Sequence, residues 1–476
     1  MKKLFVSAGL MAIGATALQS AMADDAGPKY WSVGATLRGF YDDNYNIGNS
    51  TKGSFGTEVL PTVSAHLPLG QTDIGIRYTY GLYYYENRDE IGVTPIDQTQ
   101  EVDVWLNHAF NERWSAKFSD TIASGQEPEL LNAGNPNGGT GSIATPYRIN
   151  GDNIANHGTV EVDTIWTRLF STALTYNNGY YQYQNSGAEP VIEVDAHDNP
   201  VLDPTTGKPI VVGLGTLDSK NRFDLGQPSL AGLLNRDEES VALDLKWTVL
   251  PETIVFIGYS LGWVNYTGNE IIDVPTDKNG VPLNQSNNNN KYIYYSSARD
   301  NVSHTGYLGV SHDFAPNLTA MIKGGATLVD NYADPIYAST SWAPYADLSL
   351  AYTYLPGSYL KFGFTQDEGA SDQVKSDYSG HITEYTENSV VYLDLNHAFT
   401  RKLSADLIAR VQYSTYNAGA AANADTTDYG LGLNVTYLIN NHISVDAGYN
   451  YDDVESDLAG YGYNRNRVYL GLTATY

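Results

Sequence analysis

The last twelve residues, "RNRVYLGLTATY" (465–476), divide cleanly by parity. Val468, Leu470, Leu472, Ala474 and Tyr476 fall on one side, and Arg467, Tyr469, Gly471, Thr473 and Thr475 on the other. Successive side chains of a strand point to opposite faces, so the stretch reads as a strand with one apolar and one polar face. The final residues of a soluble domain are usually loosely tied, whereas here the pattern runs to Tyr476.

Other segments repeat the alternation. Trp31, Val33, Ala35 and Leu37 share one face, as do Val241, Leu243, Leu245 and Trp247, and again Leu403, Ala405, Leu407, Ala409 and Val411. The opposite parity carries charge of both signs: Arg38, Arg77, Lys117, Lys246, Lys323, Lys361, Arg410 and Arg467, with Glu101, Asp103, Asp163, Asp244, Asp347, Asp394, Asp406 and Asp446. Unpartnered charges cannot line an apolar core. A soluble sandwich would turn these faces outward; a membrane barrel turns them inward and gives the apolar face to lipid.

Eight short, turn-forming connections separate these segments, at 67–72, 109–114, 169–172, 249–253, 313–318, 355–358, 398–403 and 439–442. Two are near copies, "NHAFNERWSA" (107–116) and "NHAFTRKLSA" (396–405), and each reads as a tight hairpin. Nine longer, polar connections alternate with them, at about 44–53, 89–98, 126–157, 187–235, 269–298, 330–341, 369–385, 417–424 and 455–462. The count predicts an all-β, transmembrane antiparallel up-and-down barrel of about 18 strands, with short periplasmic turns and long extracellular loops. Pro61 interrupts one strand pattern, and 254–264 and 302–312 alternate poorly.

The start of the chain supplies the compartment. "MKKLFVSAGLMAIGATALQSAMA" (1–23) has Lys2 and Lys3, an apolar run and a small-residue site, the order of a cleaved secretory signal peptide. The run is short for a membrane anchor. Residues 24–29 would then be a short periplasmic segment and 30–476 the barrel. The chain has no cysteine, 38 tyrosines, 45 glycines and a net charge of −27. Nucleic acid is thereby excluded as a partner. A mean hydropathy of −0.32 suits a barrel in which alternate residues meet lipid.

"LRGFYDDNYN" (37–46) resembles the opening strand of the family called putative beta-barrel porin 2, and the hairpin repeats and aromatic-ended last strand are similar too. The resemblance covers essentially 30–476. It implies an outer-membrane barrel of a Gram-negative bacterium with a transport-like role, some members being linked to exopolysaccharide export, and it brings no catalytic or binding residues. By the same resemblance, Leu470, Leu472, Ala474 and Tyr476 form the signal read by the outer-membrane assembly machinery. The physical alternative, closure of the last strand on the first, is compatible with it.

An 18-stranded barrel is wide enough for an aqueous lumen unless it is plugged. The expected function is a porin-like channel for passive diffusion of ions or small hydrophilic solutes, cation-enriching at its mouth. Expected pore-lining residues are Arg38, Arg77, Lys117, Lys246, Lys361 and Arg410, facing Asp103, Asp244, Asp347 and Asp406 across the lumen. The alternatives are the barrel component of exopolysaccharide export, with Tyr83, Tyr85, Trp105, Tyr359, Tyr392 and Tyr469 as sugar platforms, and a surface barrel that presents its loops. "LGQPSLAGLLNRDEES" (225–240) holds a short helix-like apolar cluster that either folds inward as an eyelet or packs among the loops.

No metal site or cofactor is expected. "YDDNYN" (41–46) and "YDDVESD" (451–457) lack the glycine-containing spacing of a calcium loop and read as a solvated acidic rim. No enzyme is expected: His66, His108, His312, His397 and His442 sit beside predicted turns, and neither His157 nor His197 has a serine elbow nearby. The remaining expected partners are lipid and lipopolysaccharide around the barrel. Association between copies is left open, because a lipid-facing seam and an oligomer seam share one pattern.

Overall fold

The computed structural model describes residues 30–45, 47, 52–88, 94–125, 153–184, 189–197, 199–217, 223–225 and 228–476. The proposed leader, residues 24–29 and most of the loop at 126–157 lie outside them. Eighteen strands form one closed antiparallel sheet in chain order. They are β1 (Trp31–Asp42), β2 (Ser54–Leu69), β3 (Thr72–Tyr85), β4 (Ile96–Ala109), β5 (Trp114–Gly125) and β6 (Asn153–Ile165). Next come β7 (Phe170–Tyr183), β8 (Arg236–Leu250), β9 (Thr253–Tyr266), β10 (Asn301–Ala315), β11 (Leu318–Asn331) and β12 (Ser339–Leu355). The last six are β13 (Ser358–Ala370), β14 (Tyr385–Ala398), β15 (Leu403–Tyr416), β16 (Asp425–Asn440), β17 (Ile443–Ser456) and β18 (Tyr463–Thr475).

Closure is made by the stretch that opened the sequence analysis. β18 pairs with β1 from Gly34↔Thr475 to Asp42↔Arg467, and the backbones of Val33 and Tyr476 exchange hydrogen bonds at the end of the seam. Leu470, Leu472 and Tyr476 face outward, Leu470 being 63% exposed. Val33, Leu37, Leu243, Leu308 and Ile322 do the same around the wall. Trp31, Phe110, Trp114, Trp166, Trp247 and Phe399 ring the short-turn end; Tyr41, Phe55, Tyr84, Tyr332 and Trp342 ring the other. An apolar belt between two aromatic girdles is the surface a bilayer requires. The two poorly alternating stretches also resolve: Val255 and Ile257 face out and Phe256 in, while Leu308 and Val310 face out and Tyr307 in.

The short turns are held by local side-chain acceptors. Asn111 Oδ1 accepts from the backbone N–H groups of Arg113 and Trp114, and Thr400 Oγ1, at the equivalent place in the second copy, accepts from those of Lys402 and Leu403. These Asx- and Thr-type turns explain the repeat. Thr167 acts alike, which places the third turn at 166–169, a few residues before the expected 169–172. At Pro356-Gly357 the glycine has φ +76°, as a type II turn demands.

Inside the wall, glycine and aromatic residues are opposed in register. Gly56 meets Phe40, Gly75 Trp105, Gly258 Tyr307, Gly309 Phe256, Gly363 Tyr392 and Gly448 Tyr469. At each glycine an added Cβ would overlap ring atoms of its partner. The rings therefore lie flat along the wall instead of projecting into the lumen, which ties much of the Gly and Tyr content to a clear interior. Gly448→Ala is expected to destabilise the barrel by about 1–3 kcal/mol, the usual cost of overpacking, unless Tyr469 swings into the lumen. Urea unfolding in lipid checks this.

Two prolines interrupt the ladder. At Pro61 the β2–β3 pairing skips from Val59↔Leu82 to Thr62↔Thr79 and resumes in the same register, so there is no bulge. At Pro344 the effect is larger. β12 and β13 pair up to Ala346↔Gln366 and no further, although β12 stays with β11 as far as Ser339, and β13 with β14 as far as Ala370. The next pairs would oppose Tyr345 to Asp367 and Pro344 to Glu368. Proline has no N–H to give, so the outer end of β13 is released from that neighbour.

Candidate functional site: an acidic chamber beneath a loop cap

The inward charges are paired within the wall. Arg38 bonds Glu58 at 3.2 Å and Asp446 at 2.7 Å, and Arg467 bonds Glu58 at 2.7 Å. Arg77 meets Asp103 at 3.2 Å, and Lys117 meets Glu161 at 2.6 Å and Asp163 at 3.4 Å. Lys246 shares Asp163 at 3.5 Å, Lys361 meets Asp394 at 3.6 Å and Arg410 meets Asp428 at 2.6 Å. Asp347 is held by Lys323 at 3.1 Å, Asp244 by the Tyr307 hydroxyl at 2.6 Å and Asp406 by the Asn396 amide.

The expected opposition of cations to Asp103, Asp244, Asp347 and Asp406 across the lumen is therefore corrected. All ten residues face inward, but their partners lie along the wall. Parity fixes which face a side chain takes, while the ~4.8 Å between strands puts a neighbouring carboxylate within reach long before the far wall. Arginines also stack on the inward rings, Arg467 over Phe40 at 3.9 Å and Arg38 over Tyr469 at 4.7 Å. Tyr85 and Tyr469 are buried beneath such contacts, and Tyr392 is buried against Gly363.

At the long-loop end, described residues of three loops pack into a cap. The loops at 184–235, 267–300 and 371–384 share an apolar core of Leu233, Leu234, Ile272, Tyr294, Val374 and Ile382, with Tyr183 at its edge. The two leucines belong to a short helix, α1 (Leu230–Leu234), whose first turn is closed by Ser229 Oγ accepting from Gly232 N–H at 2.9 Å. The helix expected within 225–240 is present, and of its two expected settings it takes the one among the loops. Arg299 fastens the core. Its guanidinium donates to the carbonyls of Leu233 and Ser371 and lies 4.3 Å over the Tyr266 ring.

Below the cap lies a chamber of about 380 Å³. β6 to β8 contribute His157, Tyr181, Arg236 and Glu238; β10 contributes Asn301 and Ser303; the freed end of β13 and the adjoining β14 contribute Asp367, Glu368 and Asn388. Arg236, 1% exposed, is spent: it bonds Glu238 at 2.6 Å and the Leu234 carbonyl at 3.0 Å, and stacks on Tyr181. Glu368 lines the same chamber as Ser303, three strands away, so the end of β13 leans inward. Asp367 is exposed to the lumen and has no hydrogen-bond or ion-pair partner among the described residues. Sequence reasoning passed over these groups, although the acidic runs "DEE" (237–239) and "DE" (367–368) at two strand ends were the available signal.

The expected solvated rim is also corrected. Asp42 is buried and paired with Arg465 at 2.5 Å, and Asp43 accepts from Asn466. Asp452 is buried as well. No group of three or more His, Asp or Glu side chains able to hold a metal occurs among the described residues. Histidines do sit at the short turns, where His108–Phe110, His312–Phe314 and His397–Phe399 repeat one edge-on contact of 4.5 Å.

Residues 296–476 match the family Putative beta-barrel porin 2. The porin 2 match spans β10 to β18, and the stretch 37–46 lies outside it. No curated protein matches the sequence. Solved structures with a similar fold include OccAB4 of Acinetobacter baumannii, 9% identical, covering 95% of this chain and 100% of that one at a TM-score of 0.38. The outer membrane protein opdK of Pseudomonas aeruginosa is 9% identical over 94% and 99% at 0.39, and the siderophore receptor PirA of A. baumannii 8% over 94% and 81% at 0.42. With its lipid-facing belt and the porin 2 match over 296–476, the chain is a porin-like β-barrel of the bacterial outer membrane.

The cap also carries a pH dependence. Burial pushes the Asp372 carboxyl up to about 6, although the Tyr416 hydroxyl donates to it at 3.0 Å. Burial likewise raises Asp273, Asp300 and Glu384. A carboxyl raised from about 3.9 favours the folded cap fully below that value, and the contribution is lost as pH rises through about 6. Asp195, Asp203 and Asp277 are held low by backbone N–H groups, so their opposite effect falls below that window. Amide exchange at 371–384, corrected for intrinsic rates, should be slower at pH 5 than at pH 7.5.

Proposed function

We propose that the barrel is a channel for passive diffusion of ions and small hydrophilic solutes, and that the chamber makes it prefer cations. One observation carries this reading: at the chamber Glu238, Asp367 and Glu368 face a single cation, Arg236, already committed to Glu238. Elsewhere along the wall most inward carboxylates have a cation beside them, and Asp244 and Asp406 are held singly by neutral donors, whereas the chamber gathers three carboxylates about one engaged cation. A potential of this kind acts over roughly 10 Å at 0.1 M salt and weakens as salt rises. Rings lying flat over glycines support a lumen that stays clear. Their burial also gives a sugar chain few open aromatic faces, which favours diffusion over polysaccharide export.

Proteoliposomes test the reading. Vesicles holding the folded barrel should swell in isotonic small sugars, and swell faster with a permeant cation beside an impermeant anion than with the reverse pair. Absence of swelling from folded protein would overturn it. A second reading, presentation of loops at the cell surface, draws on the bridged segments 194–197 and 199–209, where Asp195 and Asp203 each accept from backbone N–H groups at a tight turn.

A further inference from the structure

Hydrogen-bonding capacity in the chamber is lopsided. Asn301 is 4% exposed, its Nδ2 donates to the Arg299 carbonyl, and its Oδ1 accepts nothing among the described residues. Asp367 and Glu368 add two carboxylates to the chamber's lining. The surplus is therefore of acceptors. The nearby strong donor, Arg236, is engaged by Glu238, by the Leu234 carbonyl and by the Tyr181 ring. A buried acceptor left without a donor is destabilising, and a ligand N–H would recover that loss. Potassium answers the charge but brings no N–H groups.

We infer that the chamber is a binding site for an organic cation rich in N–H donors, a primary ammonium or guanidinium solute, with Asp367, Glu368 and Asn301 as its acceptors. This deepens the cation-channel reading and rests on it for the route of entry. About 380 Å³ is in the range of small-molecule sites and accommodates a short diamine. Ordered carboxylates and an amide carbonyl, held on strands under a packed cap, distinguish N–H donors from charge alone.

The test uses the full barrel in a planar bilayer carrying potassium current, with putrescine as probe and tetramethylammonium, which has equal charge per nitrogen but no N–H, as control. Putrescine should interrupt the current in a concentration-dependent way, and Asp367→Asn with Glu368→Gln should weaken that block at least tenfold. Asn301→Leu, which removes the acceptor and no charge, should weaken it several-fold. Equal block by the two amines, or block indifferent to these substitutions, would overturn the inference while leaving the channel intact. If folded barrels pass no current, the channel reading fails separately, and calorimetric titration of putrescine into the detergent-solubilised protein decides the site: saturable binding lost in the double variant supports it, and absence of binding overturns it.

Discussion

Arg299→Ala is expected to loosen the cap and raise single-channel conductance several-fold, with the barrel intact. Arg299 is 2% exposed and joins three loops, donating to Leu233 and Ser371 carbonyls while covering Tyr266. Removing it strands two buried acceptors, each worth about 1–3 kcal/mol when unsatisfied, and opens a void beside the Leu233–Ile272–Tyr294 core. Loops contribute little to the barrel's own ladder, so the loss falls on the cap. Exchange protection at 230–234 and 371–384 should drop by about 2–4 kcal/mol, with strand amides unaffected. Unchanged conductance and protection would show that the cap neither depends on Arg299 nor limits flow.

Glu58→Ala should act on the barrel itself. Glu58 is 3% exposed and accepts from both Arg38 and Arg467, bridging β1, β2 and β18 where the sheet closes. Its loss leaves buried guanidinium charge uncompensated, which costs about 3–5 kcal/mol. The contrast is Glu161→Gln. Its partner Lys117 is about a third exposed, so that pair is screened and its loss should cost about 1 kcal/mol or less. Urea unfolding of both variants in one lipid measures the difference.

Much of the architecture is legible in the chain because the membrane barrel repeats two local rules. Alternation assigns faces, and Asn111, Thr167 and Thr400 mark turns, so strand number and closure follow from patterns such as 465–476. What local patterns do not specify is partnership. Lys361 and Asp394 are read correctly as inward, but their pairing comes from register, not from parity. The cap core joins Leu233, Tyr294 and Ile382 from three loops, and no window of sequence contains that contact. Pro344 is visible in "SWAPYADL" (341–348), yet its consequence, the release of Asp367 and Glu368 into the lumen, appears only when β12 and β13 are laid side by side.

The most direct measurement is the reversal potential of single channels under a tenfold potassium chloride gradient, for the wild-type barrel and for Glu238→Gln, Asp367→Asn, Glu368→Gln combined. The chamber account predicts a cation-selective sign for the wild type, and a shift most of the way to zero in the triple variant. Anion selectivity, or a cation-selective potential that the triple variant leaves unchanged, would contradict it.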